Sequence, residues 1–515
     1  MESAAIAASA AAAPVDTSAP GAKGLKAGAI GYMSNLVIAV ASTAPAYSLA
    51  TTLGFVVAVP GMAKYAPAVL IVSFVPILFI SAAYRYLNLA DPDAGTSFAW
   101  ATRAMGPMMG WINGWAIFLA DVIVMASLAD IASTYTFQLF GWTAAANSTT
   151  AITIGCVVWI VLMTWICYRG IELSARIQAL LLSIECLILA IFAVVALVNV
   201  YQGGLHGSIK PEFNWFNPFA MNGTPLVGGI LLGIFIYWGW DSGVAVNEES
   251  ENPAEGPGRA AVLSTVLLVL IYVLVATGAQ ADAGTGFLAG HSGDILSALG
   301  TRVFGSGVLQ KLLLFSVLTS ASASTQTTIL PTARTTISMA SWGALPKVFA
   351  RVHPRFQTPS FSTLAMGGIS IVWTVGLLVL TSSPSAVLGD SITGLGFAIL
   401  FYYGFTGLAC AIYYRRELFK TWYRAVFVGL VPFAGFGGMA YVFVKSFITV
   451  SYTANYNYSP PLLGIQLPIV IGIGGLLLGL VFMASQWIFM PEFFKRRPQT
   501  ADPAILAAHL DHVEA

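Results

Sequence analysis

The chain has 515 residues, of which 57% are apolar and only 9% charged, with 23 Lys plus Arg against 22 Asp plus Glu and a formal net charge of +1. A soluble chain carries about a quarter charged residues, so this one cannot clothe an ordinary water-facing surface. The balanced charge offers no field to a polyanion, and Cys156, Cys167, Cys186 and Cys410 show neither metal-site nor disulfide-framework spacing, which excludes a nucleic-acid binder and a secreted disulfide scaffold.

Residues 1–27 are rich in Ala, Ser, Pro and Gly and read as a disordered tail. The first long apolar run begins only near Ile30, after Glu2 and Asp16, so a cleaved signal peptide is a poor description. From there, apolar runs recur near 30–59, 66–87, 107–139, 149–168, 174–200, 224–250, 258–280, 308–341, 360–380, 388–414, 424–449 and 463–490. Each is long enough to cross roughly 30 Å of hydrocarbon as a helix. Helices are expected because the backbone must satisfy its own hydrogen bonds in lipid, and no alternating ten-residue strands suggest a barrel. Twelve spans put both termini on one side. With the N-terminus inside, only Lys64, Lys210, Arg302, Lys311 and Lys445 fall outside and the other eighteen basic residues fall inside, so both termini are expected to be cytoplasmic.

Span 1 holds VIAVASTAPAYSLA, in which Pro45 removes a backbone donor at mid-membrane depth. Ser42, Thr43 and Ala44 are its candidate unwound residues, and Tyr47 lies one turn on. Span 3 carries Asp121 and Asp130, which do not share a turn; Asp121 is the deeper. Span 5 carries Glu185 within ALLLSIECLILA. An ionised acid at the centre of a span costs about 3 kcal/mol even on generous scales, so Glu185 is a functional candidate: a proton carrier, a partner for a basic substrate, or a permanently protonated residue of a helix interface. In span 6, Gly239 and Gly243 bracket Trp240, Asp241 and Ser242. Asp241 is read as a cation site, a proton site or a clasp that holds a helix break. Spans 1 and 6 open two successive blocks of five, and interrupted helices at corresponding positions point to a transporter site between them. On span 8, Ser316, Ser320, Ser324 and Thr327 form a polar stripe read as close helix packing. The five histidines fall in loops or tails, and no Walker-type phosphate loop occurs.

Three stretches carry a family likeness. In DPDAGTSFAWATRAMGPMMGWINGW, residues 91–115, the markers are Gly95, Trp100, Arg103, Gly106, Gly110, Gly114 and Trp115. In GWDSGVAVNEESENPAEGPGRA they are Gly239, Asp241, Glu248, Glu249, Asn252 and Pro253. The third is GALPKVFARVHPRFQTPSFS, residues 343–362. Together they resemble the amino acid, polyamine and organocation permeases over roughly residues 28–490. The resemblance implies an all-α polytopic fold of two inverted five-helix repeats plus two C-terminal helices, with helices 1 and 6 discontinuous. It divides the chain into a tail (1–27), a first repeat (28–200), a second repeat (224–414), two additional helices (424–490) and a cytoplasmic tail (491–515).

The resemblance also implies that Phe235, four residues before Gly239, closes over the substrate, with Ile234, Trp238 and Gly239 contributing backbone groups. It places a Lys where Glu185 stands in several proton-coupled members. Where many members have a Gly-x-Gly turn on span 1, this chain reads Ala41, Ser42, Thr43, Ala44, Pro45, so recognition of an α-carboxylate stays open. The expectation is a plasma-membrane importer of an amino acid, coupled to H+ through Glu185 or Asp121, working by alternating access and needing no cofactor or metal. Its substrate site is expected at Ser42, Thr43, Ala44, Tyr47, Phe235, Trp238, Gly239 and Asp241. A polyamine or organic amine exchanger is the alternative, and a membrane amino-acid sensor a third reading.

Overall fold

Apolar runs with no external donors can close their hydrogen bonds only as helices, and each of the twelve does so. The computed structural model describes residues 23–170, 175–221, 223–380, 384–452 and 459–504. Among these, twelve helices are long and apolar enough to cross a membrane: Tyr32–Ala58, Ala66–Ala90, Pro107–Leu139, Thr149–Arg169, Ile177–Tyr201, Gly223–Ala245, Gly256–Gly290, Val308–Ser341, Ser360–Val379, Ala386–Tyr413, Arg424–Ser451 and Leu467–Phe489. They are spans 1 to 12. Span 7 runs well past its expected end at 280 because Asp282, which hydropathy takes for a boundary, is paired with Arg302 at 2.8 Å. Gly284, with φ 73° and ψ 163°, kinks the chain soon after it, and a further helical stretch continues to Gly290.

The architecture is the inverted five-plus-five arrangement with two further C-terminal helices. Spans 3 and 8, each third in its block, pack along one another, and span 1 lies against spans 6, 7 and 8. The main cluster of buried apolar residues runs through spans 1, 2, 3, 5, 6, 7, 8 and 10, with smaller clusters beside it.

The marker stretches meet at one end of the bundle, the end rich in Lys and Arg. Asp91 takes Arg103 Nε at 2.5 Å and Arg103 Nη2 at 3.1 Å, and its backbone oxygen accepts Trp100 Nε1 at 2.8 Å. Asp93 accepts from Gly95 N at 2.7 Å, Ser338 Oγ at 2.6 Å and Trp342 Nε1 at 3.1 Å. Glu249, leaving span 6, pairs with Arg334 of span 8 at 2.6 Å. Residues 1–22 of the expected tail lie outside the described residues, as do 505–515. Lys23, just after them, is buried and bonded to Asp93 at 2.8 Å and Glu248 at 2.6 Å. Burial opposes the charge on Lys23 and on Asp93, yet each holds the other ionised: the ammonium is raised above its ordinary value and the Asp93 carboxyl is lowered. Removing one member of such a pair strands a buried charge, a loss of about 3–5 kcal/mol.

Candidate functional site

Pro45 cannot donate, and Ala44 takes up a left-handed conformation (φ 50°, ψ 71°), so span 1 divides into Tyr32–Thr43 and Pro45–Ala58. The break is narrower than expected. Ser42 and Thr43 stay in the first half-helix and only Ala44 leaves it, because Pro45 is well suited to start a new helix and needs just one residue to turn the chain. The turn frees polar groups that side chains from elsewhere satisfy. Glu185 Oε1 accepts from Ala46 N at 2.8 Å and Ser320 Oγ at 2.7 Å. Tyr47 N donates to Ser320 Oγ at 3.3 Å, and the Ser42 carbonyl accepts Ser324 Oγ at 2.9 Å. The polar stripe on span 8 thus repairs span 1, and Glu185 lies at the positive end of its second half.

Span 6 breaks between Tyr237 and Ser242 and repairs itself with local turns: Trp238 N to Phe235 O at 3.0 Å and Ser242 N to Gly239 O at 3.0 Å. Gly239 has φ 118°, and a Cβ there would come within 2.7 Å of the Ser42 carbonyl oxygen. The two breaks therefore touch, backbone to backbone, and Ser42 Oγ donates to Ser242 Oγ at 2.7 Å across them. Tyr47 and Phe235 face each other edge to face with centroids 6.4 Å apart, both buried, and the Tyr47 hydroxyl meets Ser127 Oγ at 2.6 Å.

Of the expected residues, Ser42, Thr43, Ala44, Tyr47, Phe235 and Gly239 come together at this contact, with Glu185 behind it. Asp241 and Trp238 belong to a different cluster. Asp241 accepts from Tyr403 at 2.9 Å, Tyr402 at 3.0 Å and Tyr84 at 3.5 Å, and Trp238 Nε1 donates to the Tyr402 hydroxyl. Those phenols come from spans 2 and 10, so the Asp241 carboxylate ties the break of span 6 to two other spans through side-chain donors rather than through the amides of the break itself. Asp121 is buried between spans 3 and 8, where Thr332 Oγ1 donates to it. Glu185 lines a cavity of about 140 Å³ with Gln178 and Gln326. A space of about 60 Å³ shares both glutamines, and one of about 280 Å³ shares Gln326 and reaches Lys26 at the basic end.

Two helices broken at corresponding places in two five-helix blocks, with their breaks in contact, define a secondary transporter. The profile of the family described as Amino acid permease matches residues 30–484. The chain belongs to that family, which consists of transporters and not of enzymes. It is similar to the methylthioribose transporter of Bacillus subtilis (strain 168), at 25% identity over 392 residues, 72% of this chain and 78% of that protein. It is also similar to the branched-chain amino acid permease BcaP of Lactococcus lactis subsp. cremoris, at 24% identity over 378 residues, 71% and 78% of the two chains. Among solved structures, MhsT in complex with L-phenylalanine superposes with a TM-score of 0.55 at 14% identity, covering 80% of this chain and 98% of that one. A manganese transporter of Eremococcus coleocola gives 0.52 at 13%, covering 89% and 95%. Both show the shared fold alone. The chain is a multi-pass membrane protein for secondary active transport of small organic solutes of the amino acid and amine kind.

Phe235→Ala is expected to weaken binding of a transported substrate about tenfold or more, the loss of roughly 1.4 kcal/mol of aromatic contact. Binding measured on purified protein with an unchanged melting profile checks this; unaltered affinity for every substrate removes Phe235 from the site.

Proposed function

We propose that the protein imports an amino acid or related organic amine across the plasma membrane together with a proton, with its basic end cytoplasmic. Substrate occupies the contact between the breaks of spans 1 and 6, under Phe235 and Tyr47, and Glu185 carries the proton. The observation that supports this most directly is the place of Glu185. It caps the half-helix that borders the substrate site, and the cavity it lines shares Gln178 and Gln326 with a second space and Gln326 with a third that reaches Lys26 at the basic end. A carboxylate that alternately gains and loses a proton there changes how firmly the second half of span 1 is held, which links proton uptake to opening.

One observation favours the amine reading within this scheme. The amides of Ala46 and Tyr47, the donors a substrate carboxylate would seek at a helix start, are already engaged by Glu185 and Ser320. A substrate with an ammonium and no α-carboxylate asks nothing of them.

Counterflow of a labelled amino-acid and amine panel in proteoliposomes, with internal substrate and pH set separately, tests the proposal. An inward proton gradient without sodium should drive accumulation of at least one member above equilibrium. Accumulation that persists without a gradient and requires internal substrate would make the protein an exchanger, and no flux of any amino acid or amine would overturn the substrate class.

A further inference from the structure

Asp130 takes no part in the site above. It lines a cavity of about 630 Å³ at the end of the bundle opposite the basic one, walled by span 3, the start of span 4 and the segment that links spans 7 and 8. Asp294 of that linking segment lines the same cavity, with its carboxylate already taken by the Tyr135 hydroxyl and by Gln138 Nε2 at 2.7 Å. Asp130 is 4% exposed, and its Oδ1 is buried with no hydrogen-bond partner among the described residues. Native folds rarely leave such an oxygen without a donor, and the residue that carries it lines the cavity.

The chemistry of the walls narrows the ligand. Among the described residues no Lys or Arg lines the cavity; the nearby Arg302 is committed to Asp282 at 2.8 Å and to the His206 carbonyl at 2.8 Å. His291 lines it too, with Nδ1 against the Phe287 carbonyl at 2.9 Å. Thr134, Asn147 and Ser297 supply neutral polar groups, and Ile131, Ile152 and Leu388 supply an apolar side. No three His, Cys, Asp or Glu side chains converge as metal ligands among the described residues, so a bare divalent ion would lack its protein oxygens. An alkylammonium matches what is present: N–H donors for the carboxylate and hydroxyls, and a carbon stem for the apolar wall.

We propose that this cavity is a second binding site, apart from the breaks of spans 1 and 6, that takes the ammonium group of an organic amine with Asp130 as its acceptor. The choice of an amine accords with the transport reading but does not depend on it. The probe is butylamine, titrated by calorimetry into the purified full chain in lipid nanodiscs, with butanol as the uncharged control. Saturable butylamine binding is expected in the wild type and in Phe235→Ala, no binding of butanol, and affinity at least about tenfold weaker in Asp130→Asn, a loss near 1.4 kcal/mol. Asn147→Lys, at the exposed rim, should weaken binding similarly by placing a tethered cation at the mouth, and it decides the matter if Asp130→Asn does not fold. Wild-type affinity in both variants overturns the proposal, as does the absence of butylamine binding to the wild type. Binding lost only in Phe235→Ala places the amine at the central site and leaves the transport reading standing. Binding of Mn²⁺ or Ca²⁺ that requires Asp130 while butylamine does not bind also overturns it. Butylamine binding at Asp130 with no counterflow of any amine or amino acid would sink the transport reading and leave this site intact.

Discussion

Glu185→Gln protein should still exchange substrate at equal pH on both sides, yet lose at least about nine-tenths of the accumulation that a proton gradient drives, an effect of some 1.4 kcal/mol or more on coupling. The substitution is mild in shape. A single oxygen, Oε1, accepts both the Ala46 amide and the Ser320 hydroxyl, and the amide oxygen of Gln can accept the same two bonds. What changes is charge, which becomes fixed at zero. A Glu that serves only the helix interface predicts little change in either assay. A Glu that pairs with a cationic substrate predicts lost binding of amines with binding of zwitterions retained. Paired measurements of radiolabel binding and gradient-driven uptake across several pH values separate these outcomes, and wild-type pH dependence in the variant would remove Glu185 from coupling.

Gly239→Ala is expected to abolish transport with the fold largely intact. Alanine at φ 118° carries backbone strain of about 1–3 kcal/mol. Its Cβ would press on the Ser42 carbonyl at 2.7 Å and the Thr43 amide nitrogen at 3.0 Å, backbone atoms that yield less readily than a side chain, at about 1–3 kcal/mol more. Because this strain falls where the two breaks meet, substrate affinity should drop at least about tenfold. Uptake and binding near wild-type levels would show that the contact between spans 1 and 6 is dispensable.

The sequence makes the twelve spans and both breaks legible, since an apolar run has one way to satisfy its backbone and Pro45 and Gly239 are the residues that interrupt it. Glu185 stands out because a carboxylate is rare in such a run. Its partners do not stand out. The spacing of Ser316, Ser320 and Ser324 says that one face of span 8 is polar, but not that the face supplies the bonds span 1 lacks. Tyr84, Tyr402 and Tyr403 look like any aromatic residues of apolar spans until the fold turns their hydroxyls onto Asp241. Lys23 sits in a stretch of small residues whose composition suggests only disorder, and its two carboxylate partners lie far along the chain. Asp130 and Asp294 meet at one cavity for a reason no local pattern carries: the linker after span 7 folds back over span 3.

The two breaks differ in who supplies their hydrogen bonds, and that makes them unequal as hinges. Span 6 closes its own backbone turn, although the side chains of Trp238 and Asp241 stay tied to spans 2 and 10. Span 1 borrows from spans 5 and 8, so its second half cannot move away without first baring the amides of Ala46 and Tyr47. Each amide left without a partner costs about 1–3 kcal/mol. Movement of the second half of span 1 therefore meets a cost at Ala46 and Tyr47 that the backbone turn of span 6 does not meet.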